Sequence, residues 1–160
     1  MSVEVFGDGR VSARLRGLAY RLRDPSPFFD RVEEILLEQS RRRWRANGYG
    51  WSPLKDATQA AKGRSKDARV RANASRILRA TGALERALTV KGAPGQKLAR
   101  SPDSLEFGFY IGGEAGRDVY YGQFAQQGRG EAKRVVLKKT PATQRDVNEA
   151  LRDHLGLTEG

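Results

Sequence analysis

Between Gly63 and Ser75 the chain has no leucine and no aromatic side chain, yet Trp51 and Leu54 stand before that stretch and Ile77, Leu78, Leu84 and Leu88 after it. A segment of that composition holds too little apolar surface to order itself. It is expected to be a polar loop, mobile in its middle and fastened at both ends to a core built elsewhere. Its charge is a second constraint. Residues 51–100 carry 12 of the 30 Lys and Arg but 3 of the 19 Asp and Glu, and Lys62, Arg64, Lys66, Arg69, Arg71, Arg76 and Arg79 are set against a single acid, Asp67. Such asymmetry points to an acidic partner, either nucleic acid or an acidic protein surface, and also serves solubility. Lys62, Arg64, Lys66, Arg69 and Arg71 are the candidate contact residues.

The flanking segments supply the core. Residues 1–23 read as an arm, Val3–Phe6, followed by a helix with Val11, Leu15, Leu18, Ala19 and Leu22 on one stripe. Residues 24–50 form a long core helix from about Pro27 to Ala46, with Ser26 as its cap and Pro27 at its first position. Phe29, Val32, Leu36 and Trp44 share its inner face, and Asn47-Gly48-Tyr49-Gly50 stops it. Residues 51–87 are the connector, with room for one or two helical turns over Leu54 to Ala61, and a short helix capped by Thr81. From Leu88 the apolar period falls to two, so residues 88–139 are expected to be antiparallel strands: Leu88 to Lys91, Lys97 to Arg100, Leu105 to Ile111, and a last one over Arg134 to Lys138. Residues 140–160 give a C-terminal helix and tail, with Thr140 as cap, Pro141 first, Val147, Ala150, Leu151 and Leu155 on its face and Gly156 as stop. This order predicts an α+β fold over a single domain, 1–160, with N-terminal helices packed on a small antiparallel sheet. Trp44, Trp51, Leu54, Leu78, Leu84, Phe107 and Phe124 are its expected structural anchors.

Chemistry of the catalytic kind has little to stand on. The absence of cysteine excludes disulfides and thiolate sites, and the single histidine, His154, near the end of the last helix suits a dipole-complementing role better than a triad or metal site. No phosphate loop, nucleophile elbow or His-Glu-x-x-His pattern occurs. The expectation is a non-enzyme without cofactor or metal. The acidic residues near Met1 do not suit a signal peptide, and no apolar run nears the ~18 residues of a membrane span. A soluble chain made in the cytoplasm, with no membrane partner, is expected. The basic stretch lacks a helix-turn-helix or RNP-like aromatic motif, so any nucleic-acid binding would be non-specific.

Five segments, in order, carry a family resemblance: Asp24-Pro25-Ser26-Pro27; the Arg-rich helix exit with Trp44; Trp51-Ser52-Pro53-Leu54; Ile77-Leu78-Arg79-Ala80-Thr81-Gly82-Ala83-Leu84; and Tyr121-Gly122-Gln123-Phe124-Ala125-Gln126-Gln127-Gly128. Their order and spacing resemble the virion morphogenesis, or tail completion, family of tailed bacteriophages. Two positions depart from the family pattern: Ala125 stands where His is common, and Val135 where Pro is usual. The resemblance implies a structural virion protein of the phage neck or head-proximal tail end that takes part in tail completion and head–tail joining. It further implies a homo-oligomeric, sixfold ring, neighbouring neck and tail proteins as partners, and DNA passing through the channel. Its place would be the virion, and the host cytoplasm during assembly. The rival reading is a non-specific nucleic-acid-binding basic protein.

Overall fold

The computed structural model describes residues 9–48, 50–110, 121–127 and 134–157; the expected arm Val3–Phe6, Ile111, and the side chains of Arg10, Tyr121 and Phe124 lie outside the described residues. Seven described helices and two strands follow in the order α1 (Gly9–Arg23), α2 (Ser26–Arg45), α3 (Asp56–Gly63), α4 (Ala68–Ala72), α5 (Ala83–Thr89), β1 (Gln96–Arg100), β2 (Leu105–Phe109), α6 (Tyr121–Gln127) and α7 (Pro141–Leu155). The fold is α+β, with a two-stranded antiparallel sheet and a C-terminal helix. Among the described residues no helix is long and apolar enough to cross a membrane.

The two long helices start and stop where their end residues dictate. Pro27 occupies the first turn of α2, where its missing N–H needs no partner. Ser26 is not the cap: the N-cap is Pro25, without a side-chain cap bond, and Asp24 Oδ1, one residue earlier, accepts the Ser26 N–H at 3.1 Å in the turn that leads into the helix. In α7, Thr140 Oγ1 accepts the Thr143 N–H at 3.0 Å, and Gly156 at φ 68° ends the helix. Leu157 N–H then reaches Arg152 O at 2.8 Å and Gly156 N–H reaches Asp153 O at 3.0 Å, which satisfies two of the last carbonyls.

Helix α2 packs along α7 and across α5, and α5 in turn lies on both strands. Trp44, Trp51, Ile77, Ala83, Leu84, Ala87, Leu88 and Val136 form the buried cluster, with Leu54, Leu78, Phe107 and Phe109 packed against it. Trp44 and Trp51 meet edge to face, ring centroids 5.3 Å apart, the arrangement their quadrupoles favour. The anchors Trp44, Trp51, Leu54, Leu78, Leu84 and Phe107 thus converge on one core; the seventh, Phe124, falls on a side chain outside the described residues.

Four expectations are corrected. Leu88 does not begin a strand: it lies in the last turn of α5, fully buried, while Val90 is exposed. The four-residue step from Leu84 to Leu88, with Ala87 beside it, puts three residues on one helical face and outweighs the two-residue step to Val90. The N-cap of α5 is Gly82 at φ 79° and not Thr81, whose Oγ1 only approaches the Ala83 N–H at 3.4 Å.

The segment from Arg134 to Lys138 pairs with no strand among the described residues, because a side chain takes the place of one. Gln126 Oε1 accepts the Val136 N–H at 2.6 Å and the Leu137 N–H at 3.1 Å, and Gln126 Nε2 donates to Leu137 O at 2.9 Å. Gln126 itself stands on α6, so residues 88–139 hold two described strands and two helical segments. The sheet that remains, Gln96 opposite Phe109 through Arg100 opposite Leu105, is the hairpin that the alternation from Leu105 to Phe109 predicts.

The third correction concerns α1. Its helix forms as its spacing predicts, but Val11, Leu15 and Leu22 are 53%, 60% and 63% exposed. The stripe is not part of the core. The fourth correction is the connector from Gly63 onward, where α4 stands in the expected loop; the helical turns expected over Leu54 to Ala61 form as α3.

Candidate functional site

The stretch from Asp56 to Ala80 is folded by polar contacts. Helix α3 carries Asp56 in its first turn, where the positive helix end favours it. From the last turn of α3, Lys62 Nζ donates to Asn73 O, to Arg76 O at 2.7 Å and to Arg79 O at 3.1 Å. An ammonium has three N–H donors, and all three are used. These carbonyls belong to the turns after α4, which run through residues 73–80 without a helix or strand to satisfy them. Burial lowers the Lys62 pKa from the usual lysine value.

Three further side chains stitch the same segment. Asp67 caps α4, its Oδ1 accepting the Arg69 N–H at 2.8 Å while its Oδ2 pairs with Arg69 Nη2 at 3.2 Å. Those bonds hold the Asp67 carboxyl below the usual aspartate range. Asn73 Nδ2 donates to Arg69 O at 2.8 Å and Ala80 O at 3.2 Å. Arg71 Nη1 donates to Ser65 O at 2.6 Å and Lys66 O at 2.8 Å. Where the connector rejoins the core, Ile77 is buried and its N–H donates to Asn47 Oδ1 at 3.1 Å, while the following Leu78 is half-buried at a φ of 53°. Arg79 and Glu85 form an ion pair at that junction.

The five expected contact residues therefore divide. Lys62 turns inward and holds backbone, Arg71 braces the loop it belongs to, and Arg69 supports the cap. Arg64 and Lys66 are exposed, with no hydrogen bond or ion pair of their side chains to described residues. Arg76, outside the expected set, joins them: its side chain is exposed and only its backbone is used, the N–H by Asn73 O at 3.0 Å and the carbonyl by Lys62. Charge alone does not distinguish these two groups in the sequence.

The arginines at the end of α2 are also structural. Arg43 Nη1 donates to Val135 O at 3.0 Å, beside Trp51 Nε1, which reaches the same oxygen at 3.1 Å. Arg41 Nε donates to Thr89 O at 2.9 Å, and Arg42 pairs with Glu38 at 3.1 Å. His154, near the end of α7, has Nε2 2.9 Å from Arg21 O and so ties α1 to α7.

The C-terminal motif segment enters the core through Gly122. A Cβ there would lie 2.8 Å from the Phe109 ring and 2.9 Å from Leu84 Cδ1. Compared with family models, curated proteins and solved structures, the chain matches none of them.

Proposed function

We propose that this chain is a non-catalytic structural component of a tailed-phage neck or head-proximal tail end, acting in tail completion and head–tail joining as a ring. One observation carries the reading. The segments on which the family resemblance rests, around Trp44, Trp51, Ile77 to Leu84 and Gly122, pack against one another in a single core, so what they share with that family is a scaffold. A scaffold with exposed cations that have no side-chain partner among the described residues suits a joining role, in which docking onto an acidic neighbour excludes water and forms specific pairs. The same cations, Arg64, Lys66 and Arg76, support the second reading, non-specific nucleic-acid binding.

The test replaces Arg64, Lys66 and Arg76 together by serine in the phage or prophage that encodes the chain, leaving Lys62 and Arg71 in place so that the connector keeps its fold. Electron microscopy should then show heads and tails that fail to join. Joined particles of normal appearance would count against docking. If purified protein instead bound duplex DNA with an affinity falling steeply with salt, and the triple substitution flattened that slope, the second reading would gain.

A further inference from the structure

The exposed stripe of α1 has a complement elsewhere on the molecule. Val11, Leu15 and Leu22 recur at helical spacing with the half-buried Leu18. Arg14 and Arg21 flank that stripe on one side, Arg16 and Arg23 on the other, and α1 contains no acid. It is anchored near its C-terminal end, where Arg21 Nη1 donates to Leu155 O at 2.9 Å.

Between α2 and α7 lies a cleft of about 930 Å³ with the opposite character. Asp30, Glu33 and Glu34 line it from α2, Asp146, Glu149 and Asp153 from α7, and Ile35 and Leu37 give it apolar surface. Its own cations are already engaged: Arg31 with Glu34, Arg41 with Glu38 and Thr89 O, Arg42 with Glu38, and Lys91 with Glu33. Glu149 and Asp153 have no ion pair among the described residues. Glu33 is 2% exposed; its Oε2 takes Arg100 at 2.5 Å, whereas its Oε1 has no hydrogen-bond donor among the described residues, Lys91 Nζ at 2.9 Å holding it by charge alone. The carboxylates do not gather as a metal site would require, for no described group of three or more His, Asp or Glu could hold an ion. What the cleft fits is a basic, half-apolar helix.

We propose that α1 of one copy seats in the α2–α7 cleft of a second copy, its arginines facing Glu149 and Asp153 and its Leu15 stripe covering Ile35. Helix and cleft are different patches, so the contact is heterologous: it propagates head to tail and closes as a ring when the rotation permits. The closed assembly rests on the ring reading above, while the contact itself is measurable on the purified chain.

The experiment is sedimentation velocity of the full chain over a concentration series, with two exposed charge reversals: Arg14→Glu with Arg16→Glu on α1, and Glu149→Arg with Asp153→Arg in the cleft. Wild type should self-associate. Each reversal alone should weaken association at least about tenfold, since like charges then face each other. Mixing the two variants should restore it, because each supplies what the other repels. Unchanged far-UV circular dichroism and melting would show that both variants fold. A wild type that stays monomeric overturns both the contact and the ring. Oligomers indifferent to both reversals, or reversals that mixing does not rescue, overturn the contact and leave the ring standing. Rescue on mixing in a chain that the virion does not need would uphold the contact and remove the neck reading.

Discussion

Lys62 shows how far a residue's type is from its role. In sequence it is one cation among seven; in the fold its ammonium gathers three carbonyls from the turns between Asn73 and Arg79. Lys62→Met would keep the stem and leave Arg76 O and Arg79 O without their ammonium donor, Asn73 O keeping the Arg76 N–H, at a cost of about 1–3 kcal/mol. The urea midpoint should fall accordingly, and an unchanged midpoint would show that water serves the carbonyls equally well. Gly122 makes the converse point, since nothing in its neighbourhood in the chain announces a constraint. The Phe109 ring and Leu84 Cδ1 leave no room for a methyl group there, so Gly122→Ala should destabilise by about 1–3 kcal/mol through overpacking. A melting temperature equal to wild type would mean that α6 shifts freely.

Elements with strong periodicity or explicit end signals were legible before the structure. Helix α2 with Pro27, α7 between Thr140 and Gly156, and the alternating residues of β2 all appear close to where their patterns place them. The misread elements share a physical cause: side chains do work that pattern reasoning assigns to backbone. Gln126 stands in for a strand beside Val136 and Leu137, Gln96 Nε2 donates to Ala87 O and Val90 O to brace the turn after α5, and Asn73, Arg71 and Lys62 fold a connector that has almost no apolar surface. Within the site, the basic character of the segment was legible, but not which cations face outward, because that depends on where free carbonyls lie in space. Helix α4 carries a pH prediction. The Asp67 carboxyl lies below its ordinary 3.8, first through its hydrogen bonds to Arg69. A lowered acid contributes its full stabilisation above the unfolded value and loses it as pH falls through the folded one. The Arg69 amide resonance should therefore titrate with a midpoint below 3.8; a midpoint at or above that value would mean that the cap does not form in solution.

At the scale of the whole molecule, a net charge of +11 is divided between surfaces that could meet. The outward cations Arg64, Lys66 and Arg76 lie on the connector, the basic stripe on α1, and the acids in the α2–α7 cleft. A chain so divided can associate with its own copies through one pair of surfaces and keep a third for a different neighbour, as a ring between two larger assemblies requires. The measurement that bears most directly on the proposed neck role is electron microscopy of the particles made when the chain's gene is deleted from the phage or prophage proposed to encode it, with gold-labelled antibody locating the chain in particles made with it. The account predicts filled heads and separate tails without the chain, and label at the junction of head and tail with it. Complete tailed particles in the deletion, or label confined to some other part of the virion, would contradict it.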